Sequence, residues 1–122
     1  MSIDDLPDNA TVIRGGPMTA ANVIRRARKD QWRLGLLGIS AFAGSSPETT
    51  VAELVELGEI PHAVLNRSTV GRIREVGFVI RRFGRWPHCT IDLGDDADED
   101  AAARLVAAFD QPEPTPKTGD PT

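Results

Sequence analysis

The chain has 122 residues, 40% of them apolar, with no tyrosine and one cysteine. That length suits one domain with a modest, mainly aliphatic core, and the lone Cys89 excludes an internal disulfide framework and a cysteine-based metal site. The net charge of −4 hides a segregation: residues 1–10 carry net −3, residues 11–91 carry twelve basic against six acidic side chains for net +6, and residues 92–122 carry nine acidic against two basic for net −7.

A basic body suits a phosphate-bearing ligand or nucleic acid. The acidic end reads as a solvating appendage, with folding back over the basic face as the alternative. No apolar run approaches the roughly 18 residues of a membrane span, so no membrane partner is expected. Met1-Ser2-Ile3-Asp4-Asp5-Leu6 lacks the basic and apolar regions of a signal peptide. A cytoplasmic place of action follows as the expectation.

Residues 1–10 read as an acidic N-terminal segment and residues 11–110 as the folded domain. Thr11-Val12-Ile13-Arg14 forms a short strand, ended by Gly15-Gly16-Pro17. Thr19 caps a helix from Ala20 to about Trp32, in which Val23, Ile24 and Ala27 recur at helical spacing. Gly38 to Phe42 is a buried strand. Thr49 or Thr50 caps a second helix through Leu57, with Gly58 at its end. Ile60 to Leu65 reads as a connector or short extended piece. Ser68 caps a short helix stopped by Gly77, and residues 78–91 form a hairpin. Asp95 to Asp100 starts an acidic helix N-terminus, well matched to the helix dipole, and the helix runs to Phe109. Four prolines after Gln111 predict a disordered, acidic, Pro-rich tail over 111–122. Interleaved strands and helices with a late hairpin predict an α+β fold: a short mixed or antiparallel sheet with three to four helices.

Four segments carry chemistry. Arg14 ends its strand beside Gly15 and Gly16, where an arginine can grip a phosphate or carboxylate bidentately and glycines allow close backbone approach. Ser40 and Phe42 share one strand face. Ser68-Thr69-Val70-Gly71-Arg72 offers hydroxyls and backbone N–H groups at a helix start, with Arg74 just beyond; ordinary capping explains the same residues. His88 and Thr90 alternate with Cys89 and Ile91, which suit a core, so the histidine and threonine face away from it, downstream of Arg81, Arg82 and Arg85. Arg14 and His88 are expected to line one cleft. His62 reads as structural or exposed. Two histidines 25 residues apart and one cysteine form no zinc pattern, so no metal is expected.

The order of these segments, from Arg-Gly-Gly (Arg14 to Gly16) through Gly-x-Ser-x-Phe (Gly38 to Phe42) and Thr-Val-Gly-x-x-Arg (Thr69 to Arg74) to His-x-Thr-Ile (His88 to Ile91), resembles the type VI secretion effector-two toxin family and related small polymorphic-toxin C-terminal domains. The resemblance implies an ADP-ribosyltransferase-like fold and a small bacterial toxin-type enzyme with NAD as substrate and no metal. It implies that Arg14, Gly15, Gly16 and Phe42 bind the dinucleotide, that Ser40 sits in the strand bracing the nicotinamide pocket, and that His88 and Thr90 line the same cleft, with His88, Thr90 and Ser40 as the catalytic residues. It assigns Thr69 and Arg74 to binding, and a cognate antitoxin or immunity protein as partner. The chain departs from the transferase pattern in having no Glu-x-Glu near the end of the body; Asp92 follows Thr90 on the same strand face.

Two other readings compete. A metal-independent endoribonuclease needs a base, an acid and a cation, and His88, Thr90, Arg14 and the hairpin arginines supply these types. A non-catalytic binding module or toxin-system partner would instead use the acidic tail against a basic surface.

Overall fold

In a computed structural model the described residues are 6–82, 87–94 and 98–116, with residues 33, 34 and 82 described by backbone alone. Their elements are β1 (Thr11–Gly15), α1 (Ala20–Leu34), β2 (Gly38–Ala43), α2 (Val51–Gly58), β3 (Val64–Thr69), α3 (Val70–Glu75), β4 (Val79–Arg82), β5 (His88–Asp92), α4 (Glu99–Ala107) and β6 (Glu113–Pro114). The strands form one sheet in the order β4-β5-β2-β1-β3-β6, and each neighbouring pair is antiparallel. The fold is therefore α+β.

Each helix starts where a short polar side chain replaces the missing intrahelical partner of the first N–H groups. Thr19, Thr50, Thr69 and Asp98 accept from the backbone N–H groups of Asn22, Glu53, Arg72 and Ala101. The cap of α3 is thus Thr69, not Ser68. Ser68 lies in β3 and donates to the Ala108 carbonyl at 2.6 Å. Residues 64 and 65, at the end of the segment read as a connector or short extended piece, begin β3.

The sheet is covered unevenly on its two faces. Val12, Ile39, Ala41, Ile80, Cys89 and Ile91 lie in one buried cluster with residues of α1, α3 and α4. Ile13 and Leu65 lie in a second cluster with Val51, Leu54 and Val55 of α2, and Phe42 packs against it. Alternation along the strands explains the split: Val12 pairs with Ala43 and Ile13 with Phe42, so neighbouring residues serve opposite cores. Cys89 is fully buried, and burial pushes its thiol pKa up to about 12.

Helix α2 ends one residue later than a glycine stop requires. Gly58 is its last helical residue, and Glu59 takes the left-handed conformation with φ 50°. Gly58 is needed for another reason: a Cβ there would stand 2.7 Å from the Phe42 ring.

Both ends of the chain pack more than their composition suggests. Leu6 and Ala10, in the segment read as a mere acidic lead, are buried in the larger core. The tail expected to be disordered contributes β6: Val64 pairs with Pro114 and Leu65 with Glu113. Proline is tolerated there because β6 lies at the sheet edge. Arg67 grips Glu113 through two hydrogen bonds of 2.6 and 2.8 Å. Residues 117–122 lie outside the described residues, as do Arg85 and Asp95.

Deleting residues 111–122 removes β6 and its arginine pair. A loss of about 1–2 kcal/mol is expected from the hydrogen bonds and the exposed ion pair together. It should appear as a fall of roughly 4–12 °C in melting temperature in a thermal unfolding scan.

Candidate functional site

Strand β1 stays paired with β3 from Thr11 to Gly15, but it pairs with β2 only at Val12 and Ile13. Beyond Ile13 the two strands separate. A pocket of about 350 Å³ opens in this split, lined by Arg14, Gly15, Gly16 and Pro17, by Asn22, Arg25, Arg26 and Asp30 of α1, by Ser40 and Phe42 of β2, and by Gly58, Ile60, Pro61 and His62. Because it lies between strands, it draws on both sides of the sheet. Arg14 shares the Val12 side with α1; Ser40 and Phe42 belong to the opposite side with α2.

Arg14 is the central group. It is 93% buried, as its 7% relative exposure shows. Its Nη1 donates to the Pro17 carbonyl at 3.2 Å and lies 4.0 Å from Met18 Sδ. Its Nε is buried without a hydrogen-bond partner. No carboxylate among the described residues forms an ion pair with it. Burial, and next the neighbouring Arg26, hold its pKa down to about 10, which leaves the guanidinium charged at neutral pH. A buried cation without a counter-ion is costly, and an anion placed against it recovers that cost. The other charges on this wall are partnered: Arg26 pairs with Asp30 at 3.4 Å, and Arg25 donates to Asn22 Oδ1 at 2.7 Å. Asn22 Nδ2 in turn donates to the Pro17 carbonyl at 2.7 Å, so one carbonyl braces both Asn22 and Arg14.

The close neighbour that requires the glycines is a side chain that the sequence does not name. A Cβ at Gly15 would overlap the His62 ring, and Gly16 takes φ 87° beside it. His62, expected to be structural or exposed, is exposed and lines the pocket mouth. Its signal in the sequence is only Pro61-His62 in a loop; nothing local reveals that this loop closes on Gly15.

Of the predicted site residues, Arg14, Gly15, Gly16, Ser40 and Phe42 meet in this pocket, and the others do not line it. His88 pairs with Phe42 across β2 and β5, and their rings meet edge to face with centroids 5.4 Å apart. It therefore lies behind Phe42, on the face opposite Arg14, and the expected Arg14–His88 cleft does not form. Thr90 is 1% exposed rather than facing an open cleft, with its hydroxyl unpartnered between Ser40 and Arg81. Thr69 is a helix cap, and Arg74 ties the N-terminal segment down through the Leu6 carbonyl and Asp8, both at 2.9 Å. Asp92 accepts from Arg81 Nε at 2.6 Å and from the Gly94 N–H at 2.8 Å, away from the pocket.

No family model, curated protein or solved structure matches the chain. No helix among the described residues is long and apolar enough to cross a membrane, and no group of three or more His, Cys, Asp or Glu side chains that could hold a metal ion occurs among them.

Two substitutions separate site from scaffold. Arg14→Met removes an uncompensated buried charge and keeps most of the volume, so it is expected to leave stability unchanged or raise it by about 1–3 kcal/mol in urea unfolding. Gly15→Ala sets a Cβ 2.3 Å from His62 Cδ2 and 2.8 Å from its Cγ, so the loop carrying His62 must shift, and urea unfolding should show a loss of about 1–3 kcal/mol while anion binding at the pocket weakens.

Proposed function

We propose that the Arg14 pocket binds NAD and that the chain is a small toxin-type enzyme of ADP-ribosyltransferase-like character, modifying or depleting an intracellular target. The observation that supports this reading is the buried Arg14 guanidinium, which lines the pocket with no ion-pair partner among the described residues and no hydrogen bond at Nε. A pyrophosphate supplies the paired oxygens that such a fork grips. Phe42 and His62 offer ring surfaces for the flat end of the dinucleotide, and Ser40 offers a hydroxyl to the ribose.

In the transfer, the bond between ribose C1′ and the nicotinamide nitrogen breaks and its electron pair leaves with nicotinamide. The acceptor forms a new bond to C1′ and gives up a proton. Arg14 holds the phosphates while charge develops on the sugar, and His62 at the mouth takes the acceptor's proton. The reading assigns no catalytic step to His88, Thr90, Thr69 or Arg74. A producing cell would need a cognate antitoxin or immunity protein to block the pocket.

A metal-independent endoribonuclease is the second reading, favoured by one observation: an imidazole, His62, lines the same pocket as Arg14 and Arg25. It is weaker because His88, its intended partner, lies across the sheet.

Nicotinamide release from NAD, followed by chromatography, tests the first reading. Release is expected from the wild-type chain, with about a 100-fold loss in Arg14→Met, the effect of removing one essential charge-stabilising donor. Absence of both NAD binding by calorimetry and nicotinamide release sinks it. Cleavage of RNA in the presence of a chelator would install the second reading instead.

A further inference from the structure

The acidic ends of the chain neutralise only part of its basic body. Asp8 pairs with Arg74, Asp110 with Arg72 and Glu113 with Arg67, so carboxylates from both ends cover the arginines of β3 and α3. Arg81 and Arg104 are matched by Asp92 and Asp100. Apart from the buried Arg14, the basic residues left over among the described side chains lie on α1.

Arg25, Arg28, Lys29 and Trp32 are all exposed, and their spacing of i, i+3, i+4 and i+7 sets them on one helix face. Arg28 and Lys29 take part in no ion pair among the described residues. Trp32 is 84% exposed at the far end of the stripe. The helix's acid, Asp30, is buried on the inner side and paired with Arg26, so it does not interrupt the stripe. At its near end Arg25 also lines the pocket of Arg14.

We infer that this face of α1 docks a single-stranded polynucleotide, whose phosphates follow the cations while an unpaired base stacks on Trp32. The surface matches that ligand in two ways. Three cations rise along about 6 Å of helix axis beside a flat aromatic ring, and non-sequence-specific single-strand binding combines a cationic track with an aromatic platform. A protein partner would need an apolar centre, and the stripe has one large apolar side chain. A membrane-surface helix needs a continuous apolar face, which the exposed side of α1 lacks. A duplex keeps its bases stacked and leaves Trp32 unused. The inference is independent of what the Arg14 pocket holds.

Fluorescence anisotropy of the full chain with labelled oligonucleotides of about 12 residues, one of RNA and one of DNA, tests it. An oligoglutamate of equal length serves as the acidic-peptide arm. Binding to at least one oligonucleotide is expected, and comparison of the two names the sugar recognised. Three single-strand phosphate contacts give a salt slope near −2, so affinity should fall about 15-fold between about 50 and 200 mM salt. The double substitution Arg28→Ala/Lys29→Ala should bring the slope to about −0.7. Trp32→Ala should weaken binding about tenfold. All these side chains are exposed, so circular dichroism should be unchanged in each variant. Failure to bind either oligonucleotide overturns the inference. So does oligoglutamate binding as tight as the oligonucleotides, or unchanged affinity in both α1 variants.

Discussion

Strand β1 is held along its whole length by β3 but by β2 only through Val12 and Ile13. That half-made ladder is the constraint on which the site depends. Were β1 and β2 paired to their ends, Arg14 and Ser40 would belong to separate sides of a closed sheet. Because the strands part, a guanidinium from the α1 side and a hydroxyl and a ring from the α2 side line one pocket. Gly15-Gly16-Pro17 makes the departure possible: Gly16 takes a positive φ, Gly15 admits the His62 ring, and the Pro17 carbonyl braces Arg14.

Two cores of different size pack against the two faces of the sheet. The larger one anchors β2 and β5 through Ile39, Ala41, Cys89 and Ile91 against α1, α3 and α4. The smaller one anchors β1 and β3 through Ile13 and Leu65 under α2. Helix α2 closes down on Phe42 only because Gly58 has no side chain there, and the left-handed turn then falls on Glu59, where a side chain makes it cost about 1 kcal/mol. Arg14 is a second local cost, a buried charge that forms no ion pair among the described residues. Both costs fall on residues at or next to the pocket, the pattern of a site that gives up stability for binding.

Electrostatics ties the chain ends to this frame. Asp8 from one end and Asp110 and Glu113 from the other meet arginines that sit close together on β3 and α3. The individual pairs are exposed and each contributes little. Their collective effect is positional: they match the arginines of β3 and α3, while Arg28 and Lys29 of α1 take part in no ion pair among the described residues. Glu113's carboxyl pKa is lowered by its hydrogen bond to Arg67 despite a small opposing burial effect, as expected for a partner held in fork geometry.

By itself the sequence determined the α+β class, the helix start at Thr19 and a second at Thr49 or Thr50, the core role of Cys89 and Ile91, and the Arg14-Gly-Gly turn as a place where backbone and cation meet. These depend on local rules: alternation along a strand, a short polar side chain before a helix, and a glycine pair after a strand. Tertiary structure decided the rest. It put His88 behind Phe42 rather than beside Arg14, because strand register, not proximity in a motif, sets which face a side chain occupies. It made Thr69 a cap and Arg74 a tether, since Ser68 was taken by the Ala108 carbonyl. It brought His62 to the pocket through a loop contact with no local signature, and it turned part of a Pro-rich tail into β6 because an edge strand needs few N–H donors. Pairing partners far apart in the chain decide such placements, and no short window of sequence records them.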